Sequence, residues 1–100
     1  MTEEVIKYET SKLEQLKKLH EELETMYEVK NKWYGDSFGK LFEEMGFIGA
    51  YTQIFHKFSR LKKHRFEMAP KSDELIDDLK DMSNYCLMTV IELERSKDEF

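Results

Sequence analysis

Apolar positions in this chain recur mostly three and four residues apart, the period of a helix that buries one face. Leu16, Leu19, Leu23 and Met26 make the first such seam. Ser11 and Glu14 have capping-box spacing ahead of it, so a first helix is expected over 11–32. Residues 1–10, anchored only by Val5, Ile6 and Tyr8, are expected as an arm or a frayed start. Trp33-Tyr34-Gly35-Asp36-Ser37-Phe38-Gly39 interrupts the period. Gly35 suits a left-handed helix end, and Asp36 or Ser37 the cap of the next helix. The period resumes over 37–65 through Leu41, Phe42, Met45, Phe47, Ile48, Tyr51, Ile54, Phe55, Phe58 and Leu61. Gly46 lies in its path and either kinks one helix or divides it in two. Pro70 ends the following loop, Ser72 is a cap, and a last helix is expected over 72–95 with a tail at 96–100. Its stretch Tyr85–Ile91 is apolar nearly all round, which suits a core centre or a subunit interface, with Cys86 as a small buried hydrophobe.

No segment reads as a core strand. The expected fold is therefore all-α, a small bundle of three to four helices in one domain spanning 1–100. One hundred residues enclose only a modest core, so self-association as a dimer or tetramer is expected. Sixteen Lys and Arg against 21 Asp and Glu give a net charge of −5, which argues against binding duplex DNA over the whole surface. No apolar run approaches the roughly 18 residues of a membrane span, so no membrane partner is expected. The single cysteine excludes an internal disulfide and a cysteine-based metal site.

The charges are unevenly placed. Gln53 to Arg65 holds cations and histidines but no acid. Lys57, Arg60 and His64 lie three and four apart and so share a helix face. Arg60 has the fork that grips a phosphate, and Lys57 adds a point charge one turn away. Glu74, Asp77, Asp78 and Asp81 make a broad acidic face on the last helix. Two readings follow. The basic ridge holds an anion, or it pairs with the acidic face as a packing solution. Trp33 and Tyr34 near the free N–H groups at Ser37 suit base stacking and phosphate binding, or simply staple the helix ends. Asp77 and Asp81, one turn apart, would need Glu44 from another helix to hold a magnesium ion. His56 and His64 lack a metal-binding motif, and no nucleophile elbow or Walker loop is present.

Asn31-Lys32-Trp33-Tyr34-Gly35-Asp36-Ser37-Phe38, then Phe42-Glu43-Glu44-Met45-Gly46, Lys57-Phe58-Ser59-Arg60-Leu61, and Asp77 and Asp81 with Asn84-Tyr85 carry a family resemblance. Over residues 28–95 the chain resembles the phage-associated nucleotide modification associated domains. These are in turn similar to the all-α MazG-like nucleoside triphosphate pyrophosphohydrolases. The resemblance implies a nucleotide ligand, an oligomer and the cytoplasm of an infected bacterial host. It places Tyr34 and Ser37 at the ligand turn, Lys57 and Arg60 on phosphates, and Asn84 beside the metal-binding acids Asp77 and Asp81. The chain departs from the E-E-x-x-E pattern of that group, because Glu43-Glu44 is followed by Phe47 where a third acid belongs.

That loss of an anionic metal ligand favours holding a nucleotide over hydrolysing it. The expected function is cofactor-free sequestration of a host cyclic dinucleotide, an anti-CBASS sponge. Its expected contacts are Trp33, Tyr34, Ser37, Lys57, Arg60, His64 and Asn84. The alternative is a Mg2+-dependent nucleotide pyrophosphohydrolase using Glu44, Asp77 and Asp81.

Overall fold

The computed structural model describes residues 3–98, and side chains from 11 to 97. It is all-α, as the sequence period predicts: α1 (Glu3–Tyr34), α2 (Ser37–Met45), α3 (Phe47–Leu61), a single 3-10 turn (Lys62–His64) and α4 (Asp73–Asp98). The chain forms two compact units, 1–35 and 36–100.

The first unit is α1. It starts eight residues ahead of the predicted Ser11 boundary, so most of the expected N-terminal arm is helical. The reason lies in composition. No Gly or Pro occurs between Glu3 and Tyr34, and one internal Ser-x-x-Glu is no barrier to propagation. Gly35 ends the helix with φ +64°, the left-handed conformation expected of it. Met1 and Thr2 from the expected arm lie outside the described residues, as do Glu99 and Phe100 from the expected tail.

The second unit is built from α2, α3 and α4. The Asp36 carboxylate accepts from the Gly39 N–H at 3.0 Å and caps α2. Phe38 then turns its ring inward against Tyr85 of α4, with ring centroids 5.8 Å apart. At Gly46 the helix breaks rather than bends. Gly46 has φ +69° and ψ −157°, and its N–H donates to the Phe42 carbonyl at 2.7 Å. An added Cβ there would meet nothing within 4 Å, so only backbone strain opposes a side chain. Gly46→Ala is expected to cost about 1–3 kcal/mol in chemical denaturation, because that backbone region is almost closed to L-residues.

Beyond the break, α3 packs along α4, with Gly49 and Ala50 buried and α2 lying against both helices. The Ser72 hydroxyl accepts from the Leu75 N–H at 3.3 Å and starts α4, one residue after the predicted boundary. The helix runs on to Asp98, through the first part of the predicted tail. Its apolar run is not a core centre. Thr89 is buried, but Leu87, Val90, Ile91 and Leu93 are exposed, and so is Cys86, contrary to its expected burial. The run is apolar all round, and the two neighbouring helices can cover only one side of it.

Candidate functional site

The facing surfaces of α3 and α4 carry the charges singled out in the sequence. Lys57 Nζ lies 3.0 Å from Asp81 Oδ2. Arg60 reaches two acids, Asp78 through Nε at 3.0 Å and Glu74 through Nη2 at 3.3 Å. Lys63 Nζ meets the same Glu74 oxygen at 2.6 Å. From Lys57 and Arg60 on α3 to Lys63 in the 3-10 turn after it, the partners on α4 fall back from Asp81 to Glu74. The two helices are therefore antiparallel, and the charges form a ladder between them.

Of the two readings open for the basic ridge, the geometry takes ion pairing. Lys57 and Arg60 are engaged by carboxylates, so an anion at either would have to compete with Asp81, Asp78 or Glu74. The ladder is graded by burial. Lys57 and Asp81 are both largely covered, whereas Lys63 and Glu74 are about half exposed. Asp78 is the most enclosed, with 3% of its surface accessible, and its Oδ2 has no hydrogen-bond partner. Arg60 therefore supplies the cation that this buried carboxylate requires.

The exposed rung has a titration signature. The hydrogen bond from Lys63 and then its charge hold the Glu74 carboxyl below the usual glutamate value, burial opposes them, and the charges of Arg60 and His64 add lesser downward pulls. A carboxyl depressed in the folded state stabilises the fold above its unfolded pKa. That contribution is lost as pH falls through the folded value. Lys63→Met is expected to move the Glu74 titration upward, measured by NMR of its side-chain carboxyl.

The other predicted residues are spread out. Trp33 and Tyr34 end α1 in the first unit and are 78% and 75% exposed. Ser37 is exposed at the start of α2. Phe38, from the same aromatic cluster, is core rather than a stacking platform. His64 directs Nδ1 to Glu67, at 3.3 Å from Oε1, and its Nε2 is buried without a partner. Asn84 is half-buried one turn beyond Asp81. Glu44 and Asp77 are exposed. Among the described residues no three His, Cys, Asp or Glu side chains gather closely enough to hold a metal ion. Glu44, Asp77 and Asp81 are thus not brought together as one such group.

A second cationic feature lies on the other side of α3. Phe58, Leu61, Lys62 and Arg65 line an open hollow of about 410 Å³. Lys62 Nζ sits 5.9 Å from the centre of the Phe55 ring. The Arg65 guanidinium lies 4.7 Å from the Phe66 ring and donates to the Lys62 carbonyl at 2.8 Å. Among the described residues neither cation is in an ion pair. Sequence reading singled out Lys57, Arg60 and His64 instead of Lys62 and Arg65. The signal was present: Phe55, Phe58, Lys62 and Arg65 continue one three-four period, on the face away from Lys57 and Arg60.

The family model for nucleotide modification associated domain 1 matches residues 30–93. The chain belongs to that family. The match takes in the last turn of α1 and nearly all of the α2–α4 unit, including the charge ladder and the hollow. Neither a curated protein nor a solved structure matches the chain significantly. No helix among the described residues is long and apolar enough to cross a membrane.

Proposed function

We propose that the chain binds a nucleotide at the C-terminal end of α3 and holds it without cleaving it. The hollow formed by Phe58, Leu61, Lys62 and Arg65 carries this reading. A nucleotide places a flat apolar base beside an anionic phosphate. The hollow offers apolar side chains beside two cations that no carboxylate engages. Arg65 has the fork for two parallel hydrogen bonds to phosphate, and Lys62 adds a compact charge. The description of the family points to nucleotides independently. Retention is favoured over hydrolysis because Lys57, Arg60 and Lys63 already neutralise Asp81, Asp78 and Glu74, which lowers their attraction for a divalent cation. In its specific form, the reading is stoichiometric sequestration of a cyclic dinucleotide immune signal by a phage protein.

Calorimetric titration with cyclic dinucleotides and nucleoside triphosphates tests it, followed by heat release and chromatography of the bound nucleotide. The expected result is binding with the nucleotide recovered intact. Lys62→Ala with Arg65→Ala should weaken it about 100-fold, as expected for losing two charge-assisted contacts. Lys57→Ala should leave affinity nearly unchanged. Recovery of a cleaved nucleotide in the presence of Mg2+ would replace this reading with the pyrophosphohydrolase one. Binding to no nucleotide would sink both.

A further inference from the structure

The cations from Lys57 to Arg65 are held in two different ways. Lys57, Arg60 and Lys63 rest against carboxylates. Lys62 and Arg65, the two that line the hollow, rest against aromatic rings instead. Lys62 Nζ is 5.9 Å from the centre of the Phe55 ring, and the Arg65 guanidinium is 4.7 Å from that of Phe66. The two kinds of support differ in what they leave behind. A carboxylate fixes a cation and cancels its charge. A ring fixes it through the negative face of the π-system and leaves the net charge in place for an anion.

Arg65 is the more fully held of the two. Its Nη1 donates to the Lys62 carbonyl at 2.8 Å, and its backbone N–H donates to the same oxygen at 3.3 Å. With one face of the guanidinium on a ring and one corner on a carbonyl, its orientation is set before any ligand arrives. Among the described residues Nε and Nη2 enter no hydrogen bond or ion pair. These two N–H groups share the side-on edge that grips a phosphate through two parallel hydrogen bonds. A long side chain already held in place gives up less rotamer freedom on binding than a free one. Phe66 is placed for this task and for little else. It is 86% exposed, so it adds almost nothing to the core, and among the described residues its one ring contact is Arg65. The Glu67 N–H donates to the His64 carbonyl at 3.1 Å, and the His64 and Glu67 side chains meet at 3.3 Å, which closes a turn containing both Arg65 and Phe66.

We propose that Phe66 is a positioning residue of the anion site, holding the Arg65 guanidinium with its Nε–Nη2 edge free for a phosphate. The proposal rests on the nucleotide reading for the place of the site, but inorganic pyrophosphate tests it separately, because that probe brings phosphate without a base that could itself stack on Phe66. In the full chain without ligand, the Arg65 Nε–H proton is expected to be displaced by the ring current of Phe66. It should return to the value of an exposed arginine in Phe66→Leu, with helical circular dichroism unchanged. Calorimetry should show pyrophosphate binding weakened about three- to fivefold by Phe66→Leu and retained in Phe66→Tyr, the range set by an exposed cation–π contact. In an Arg65→Ala background, Phe66→Leu should cause no further loss, since its effect passes through the arginine. A resonance that does not move, an unchanged pyrophosphate affinity in Phe66→Leu, or an equal loss in the Arg65→Ala background overturns the proposal. An effect on nucleotides but not on pyrophosphate overturns it too, by making Phe66 a direct base contact. Pyrophosphate binding that depends on Phe66, with no nucleotide bound, upholds the positioning role and removes the nucleotide reading. Nucleotide binding indifferent to Phe66 does the reverse, and binding of neither probe removes both.

Discussion

Arg60→Ala is expected to destabilise the chain by about 3 kcal/mol, the lower end for breaking a buried ion pair. The effect comes less from the lost contact than from what remains. Asp78 would keep a carboxylate in a site that is 3% accessible, with one oxygen already unpartnered and the other deprived of the Arg60 Nε–H. The lower end applies because Arg60 is itself 44% exposed on its side chain, so solvent screens part of the pair. Urea denaturation measures the loss, and a double-mutant cycle apportions it. Adding Asp78→Leu to Arg60→Ala should recover much of the stability, since an apolar side chain needs no cation there. Full additivity of the two substitutions would show that the contact carries no coupling.

Phe38→Ala should cost a similar amount, about 3 kcal/mol, the usual range for removing a buried aromatic ring. Phe38 is 7% exposed and stacks its ring on Tyr85 where α2 meets α4. The unit has few other buried apolar groups to collapse into the gap. The loss should appear as a lower thermal midpoint with the intact Asp36 cap unaffected. By contrast, Trp33→Ala, at a side chain 78% exposed, should move the midpoint very little.

Much of the architecture was legible because it depends on local rules. The three-four spacing of apolar residues, the turn signals at Gly35 and Asp36, and the Ser72 cap each act within a few residues of chain. The start of α1 was misplaced for a related reason. Ser11–Glu14 is a start signal only when something upstream stops the helix, and no Gly or Pro does so between Glu3 and Ser11. The candidate site was harder to read. Spacing put Lys57, Arg60 and His64 on one face and four acids on α4, but a periodic charge looks the same whether it faces solvent, a ligand or another helix.

By itself, then, the sequence determined that this protein is all-α, where the chain turns, and that its cations and acids lie on separate helices. Only the tertiary structure decided what those charges do. Antiparallel docking of α3 on α4 brought opposite charges within about 3 Å, so Lys57 and Arg60 serve the fold. The same docking turned Phe58, Lys62 and Arg65 outward, and they became the better candidates for a ligand. The physical reason is that a charge is defined by its neighbour. The neighbours here are 14 and 24 positions away along the chain for Arg60–Glu74 and Lys57–Asp81, beyond the reach of any local rule.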